Sequence, residues 1–72
     1  MPHQRVKADL RRRLQSGEWE PGTALPSTEE LARHYEVAKG TVTRALRDLA
    51  AEGLLHTVPR WGVFSGPAPE DG

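Results

Sequence analysis

At 72 residues the chain has room for one domain, and a domain of this size buries only about 60% of the surface that it exposes when unfolded, so every apolar position must serve one small core. It contains no cysteine, which excludes a disulfide framework or a cysteine zinc site, and no run approaches the roughly 18 apolar residues of a membrane helix. Ten basic and ten acidic residues sum to zero, whereas an isolated nucleic-acid-binding domain is usually basic because each neutralised phosphate releases a counterion.

Met1 is followed by the polar residues His3, Gln4 and Arg5 rather than a secretory apolar segment, so the expectation is a soluble, cytoplasmic protein. Val6, Leu10 and Leu14 then recur every four residues with charged residues between them, predicting an amphipathic helix over about 3–15 that stops at Ser16-Gly17. Arg11, Arg12 and Arg13 on this helix point about 100° apart, so they cannot all meet one surface. Trp19 and the run Pro21-Gly22-Thr23-Ala24-Leu25-Pro26 read as a connector with a type II turn at Pro-Gly and room for one short strand. Trp19 is expected in the core near Leu25, anchoring that connector.

Ser27-Thr28-Glu29-Glu30 is a capping box, in which the Ser27 hydroxyl accepts from the Glu30 amide while the Glu30 carboxylate accepts from the Ser27 amide. The helix it opens runs to about Tyr35, with Leu31, Ala32 and Tyr35 inward. A third helix, over about 39–53, carries Val42, Ala45, Leu46, Leu49 and Ala50 as one apolar stripe, and Gly53 stands where a left-handed terminating residue belongs. Two β-prone runs, Leu54 to Val58 and Gly62 to Ser65, flank Pro59-Arg60-Trp61 and predict a hairpin. Residues 66–72, with Glu70 and Asp71, have too little apolar content to pack and are expected to form a flexible polar tail behind a 1–65 domain.

The fold class that follows is mainly α with a small β-hairpin wing: a winged helix-turn-helix of three helices and a two- or three-stranded sheet. With its apolar stripe inward, the third helix turns Lys39, Gly40, Thr41, Thr43, Arg44 and Arg47 outward. Arg and Lys donate to guanine or phosphate, Thr offers a hydroxyl and a methyl, and Gly40 permits close approach of backbone and DNA. The bland alternative is a solvated helix face. Arg60 at the hairpin tip suits a narrow minor groove or a phosphate. Trp61 either folds back on the core or contacts DNA or a partner chain. Enzymatic chemistry has no constellation to support it: His3, His34 and His56 fall in three elements without metal-ligand spacing, and capping and helix-start positions account for Glu30 and Glu29.

The run Leu10-Arg11-Arg12-Arg13-Leu14, then Ser16-Gly17-Glu18-Trp19-Glu20-Pro21-Gly22, Leu25-Pro26-Ser27, Glu30-Leu31-Ala32, Val37-Ala38-Lys39-Gly40-Thr41-Val42, Ala45-Leu46-Arg47-Asp48-Leu49 and Glu52-Gly53-Leu54 closely resembles the amino-terminal domain of GntR-family bacterial transcription regulators. The resemblance spans about residues 3–65. It implies a winged helix-turn-helix that binds double-stranded, pseudo-palindromic operators as a homodimer on DNA, with the third helix in the major groove and the wing tip at the minor groove. Several positions depart from the family's pattern. Glu29 stands where an arginine is common, Ala38 where Ser or Thr usually opens the recognition helix, and Thr43 where arginine is frequent. The usual Gly-x-Gly-Thr-Phe of the wing becomes Arg60-Trp61-Gly62-Val63-Phe64.

Residue reading and resemblance together make Ser27, Thr28, Arg33, Lys39, Gly40, Thr41, Thr43, Arg44 and Arg47, with Arg60, Trp61 and Gly62 of the wing, the candidate DNA contacts. Members of the family continue into an effector-binding and oligomerising domain where this sequence stops, so it reads either as an excised domain or, as the start at Met1 and the untagged tail favour, as a stand-alone regulator. The expectation is a nucleoid-associated regulator of repressor type, without cofactor, metal, membrane partner or small-molecule effector within these residues. The rival expectation is a protein-interaction winged helix that no longer meets DNA, which the zero net charge, Glu29 and Trp61 favour.

Overall fold

The computed structural model describes residues 2–68. Three helices, α1 (Pro2–Gln15), α2 (Thr28–Tyr35) and α3 (Lys39–Ala51), precede an antiparallel hairpin of β1 (Leu55–Val58) and β2 (Gly62–Ser65). This is the winged helix-turn-helix order.

Helix α3 organises the molecule because both of its long neighbours pack on it: α1 and α2 lie against its apolar stripe, and β1 follows directly from its end. Val42, Ala45, Leu46 and Leu49 of α3 are buried, meeting Val6 and Leu10 of α1, Leu31 and Ala32 of α2, and Leu25 and Leu55 from the connector and hairpin. Truncating a fully buried leucine such as Leu49 to alanine removes about 2–5 kcal/mol, a large share of the total of about 5–15 kcal/mol in a domain.

The ends of the elements follow local chemistry. Both halves of the Ser27–Glu30 capping box form, at 3.1 Å each. At the other end of α2, Glu36 takes the left-handed conformation, φ +57°, and the Val37 amide donates back to the Ala32 carbonyl at 3.0 Å. Helix α3 stops at Ala51, two residues before the expected end, because Gly53 (φ +80°) already belongs to the terminating turn. There the Gly53 amide donates to the Ala50 carbonyl and the Leu54 amide to the Leu49 carbonyl, the paired bonds of a Schellman motif. Leu54 is thereby taken from the first strand, which begins at Leu55.

In the connector, Pro21 and Gly22 are the central residues of a turn closed by Thr23 N–H to Glu20 O at 2.9 Å, and Gly22 at φ +89° gives it the expected type II form. The chain then runs beside β2, with Ser65 N–H donating to Thr23 O and Leu25 N–H to Val63 O, but the expected short strand amounts to a single bridge, Ala24 to Phe64. Strand pairing itself runs from Leu55 opposite Ser65 to Val58 opposite Gly62. Packing continues one residue past β2: the Gly66 amide donates to Leu54 O at 2.8 Å. The remainder of the predicted tail, 69–72 with Glu70 and Asp71, lies outside the described residues.

Candidate nucleic-acid interface

The distribution of ion pairs resolves the puzzle of a neutral chain. On α1, Lys7 pairs with Asp48 of α3 at 3.3 Å, and Arg11 makes two bonds to Glu52, at 2.9 and 2.5 Å, so both long side chains fasten α1 to the carboxyl-terminal half of α3. Arg12 pairs with Asp9 within α1. Arg13 grips Glu18 with two bonds, at 3.0 and 2.6 Å, donates to the Tyr35 hydroxyl at 2.9 Å and lies 4.5 Å over the Trp19 ring. These bonds hold the Glu18 and Glu52 carboxyls below their ordinary range, through the hydrogen bonds from Arg13 and Arg11 respectively. Trp19 is thus half-buried against the core as expected, with an arginine as its outer cover.

Sequence reading left the fate of Arg11 open because its partner Glu52 is 41 residues away; for Arg13 the Tyr35 hydroxyl is 22 residues away, although its ion-pair partner Glu18 is local. The phenol of Tyr35 completes the network by donating to Asp9 at 2.5 Å; burial, then that bond, raise its pKa. Five cations remain without an ion pair among the described residues: Arg5, Arg33, Arg44, Arg47 and Arg60. Four of them are candidate contact residues, and only Arg5, at the start of α1, was not singled out by the sequence.

On α3, Lys39, Gly40, Thr43, Arg44 and Arg47 are exposed and Thr41 is half-buried. Ala38 occupies the cap position in extended conformation, φ −71° and ψ 154°, and contributes no side-chain cap. The Thr41 amide turns back to Ala38 O at 3.0 Å, which leaves the amides of Lys39 and Gly40 ahead of it for an acceptor outside the helix. Around Gly40 an added Cβ would meet nothing within 4 Å, so no neighbour in the protein demands a glycine in this helical turn. Lys39 reaches Glu29 of α2 at 3.5 Å, both side chains well exposed, a loose pair that screens rather than locks the lysine. Arg33 stands exposed in the last turn of α2, Thr28 is half-buried at its first, and the Ser27 oxygen is engaged by the Glu30 amide while its hydroxyl proton stays available.

At the hairpin tip, Pro59 and Arg60 form a turn closed by Trp61 N–H to Val58 O at 3.0 Å. Arg60 has φ +73°, the sign that a type II turn requires at this position and that glycine normally supplies. Trp61 is 76% exposed. Of the two alternatives open for this side chain, folding back on the core is thereby excluded. Gly62 beside it is exposed as well.

This architecture has close counterparts. AraR(DBD), solved in complex with operator ORE1, matches with a TM-score of 0.88 at 27% identity, over 92% of this chain and 80% of that one. The histidine utilization repressor of Klebsiella aerogenes is 36% identical over 62 residues, which are 86% of this chain and 26% of the repressor. The HTH-type transcriptional repressor NagR of Bacillus subtilis is 34% identical over 59 residues, 82% of this chain and 24% of NagR. The chain thus spans about a quarter of the length of these curated relatives. The family model of the bacterial regulatory proteins, gntR family, matches residues 2–64, the whole of the three helices and nearly all of the hairpin. With the helix-turn-helix, the wing and the sequence match all in agreement, the chain belongs to the GntR family of bacterial regulatory proteins.

Proposed function

We propose that the chain is the DNA-reading module of a transcriptional regulator of repressor type, acting in the cytoplasm by occupying an operator and performing no chemistry of its own. The observation that carries this reading is the segregation of charge: four of the five cations of α1 are held in ion pairs, Arg5 at its start being the exception, while Arg33, Arg44, Arg47 and Arg60 have none. A neutral molecule thereby keeps a cationic surface on the helix-turn-helix and wing. Helix α3 enters the major groove with Arg44, Arg47, Thr43, Thr41 and Lys39 toward the bases and backbone, while Ser27, Thr28 and Arg33 hold phosphates. A phosphate takes the place of the missing cap at the Lys39 and Gly40 amides. Two copies occupy the halves of a pseudo-palindromic site.

Selection of bound sequences from random duplex DNA tests this, followed by binding of the enriched and a scrambled duplex at two salt concentrations. Arg44→Ala should reduce discrimination between the two by about 1–3 kcal/mol, whereas Arg33→Ala should weaken both alike. Equal, weak binding to both duplexes by the unmodified chain would overturn the reading and favour a protein-interaction module, for which the exposed Trp61 is the supporting observation.

A further inference from the structure

The wing carries a feature that charge does not explain. Among the described residues Trp61 is the one large apolar side chain standing exposed, at 76%. Its ring borders an open hollow of about 490 Å³ whose walls include Pro21, Val58 and Phe64, yet it does not settle into that space. Its mount is stiff. The Pro59 ring fixes one torsion of the turn, the Trp61 amide is held by Val58 O at 3.0 Å, and the Val58–Gly62 pair closes the ladder directly behind, so only three residues project beyond the sheet. Arg60, next to it, keeps a left-handed backbone at φ +73° and a guanidinium without an ion pair. A strained, rigid tip that presents one cation and one bare ring is suited to a groove that attracts arginine and admits a flat apolar edge.

We propose that Trp61 acts as a wedge: with Arg60 anchored in the minor groove, the indole enters between base pairs and parts a flexible pyrimidine–purine step. The inference rests on the reading that α3 and the wing engage DNA, and it adds a second source of specificity, because such steps unstack more readily than stiff ones. The wing then selects sequence by deformability where α3 selects by hydrogen bonds.

The test uses operators from the selection experiment, with 2-aminopurine placed in turn at each step flanking the α3 footprint. Binding of the unmodified chain should raise aminopurine fluorescence at one such step. Trp61→Leu, which retains an apolar wedge, should preserve the rise, and Trp61→Ala should abolish it. Replacing that step by a stiff one should lower affinity about tenfold for the unmodified chain and hardly at all for Trp61→Ala. Specific binding without an aminopurine change at any step, or an equal loss in the alanine variant, would overturn the wedge while leaving the DNA-reading function intact. Absence of any sequence preference would overturn both. Exposure of Trp61 makes misfolding of the variants no obstacle, and their thermal unfolding checks it.

Discussion

Gly40 and Glu36 are a mismatched pair of positions, each carrying the residue that local stability would assign to the other. Gly40 lies in the first turn of α3, where glycine costs about 0.5–1 kcal/mol relative to alanine, and open space surrounds its Cβ position. Gly40→Ala should therefore stabilise the free protein by about that amount, read by chemical denaturation. On the enriched operator the same methyl should weaken binding, because it would stand between the helix and the phosphate proposed to cap it. Unchanged affinity would show that DNA does not approach α3 at this point. Glu36 has the opposite problem, since its φ of +57° costs a residue with a side chain about 1 kcal/mol. Glu36→Gly should raise stability by a comparable amount, and a loss instead would mean that the carboxylate makes a contribution no contact in the structure reveals.

The helices are held at their correct angles by charge as well as by apolar packing. Arg11 hydrogen bonds lower the pKa of Glu52, and Arg13 hydrogen bonds lower that of Glu18. Each carboxylate therefore contributes stability that is present above the ordinary value of about 4.3 and lost as pH falls through its lowered value in the folded chain. Because both carboxylates are exposed and their pairs screened, thermal unfolding followed from pH 7 downward should show a gradual loss beginning below about pH 5, and Glu52→Gln should make that loss shallower. Tyr35 works on the alkaline side. Its raised pKa, from burial and the bond to Asp9, gives stability that is present below about pH 10 and lost as pH rises through the folded value. Tyr35→Phe should flatten that limb, and an unchanged alkaline profile would show that the phenol bonds contribute nothing to the docking of α1 on α2.

In the proposed mode a molecule of this size meets DNA through one helix, one turn and one hairpin, and single modules of this kind cover roughly 600–1,000 Å². On the proposed reading, tight occupancy requires two copies bound to half-sites about one helical turn apart. The 72-residue chain should sediment as a monomer at micromolar concentration and bind a full site far more tightly than a half-site in mobility-shift titrations. A tight dimer in the absence of DNA would contradict this and direct attention to Trp61 or α1 as the subunit contact. Salt dependence belongs to the same scale. With Lys7, Arg11, Arg12 and Arg13 of α1 paired, the slope of log affinity against log salt should reflect only the few phosphates met by the unpaired arginines, not all ten basic residues.

Local signals in the chain carried most of the architecture. The capping box at Ser27, the type II turn at Pro21-Gly22, the stripe from Val42 to Leu49 and the left-handed Gly53 each depend on residues within a few positions of one another, so their periodicity and turn chemistry are visible in one dimension. Quantities that depend on distant partners were not. Arg11 looks like a basic surface until Glu52 arrives from the end of α3, and the backbone of Arg60 shows its strain only in the closed hairpin. Trp61 is the clearest case, because its sequence neighbours are compatible with a folded-back or an exposed ring. The sequence alone determined which elements form and which residues they present; the tertiary structure decided which charges are neutralised and which side chains stay in water, since ion pairing and burial are set by elements brought together across the chain.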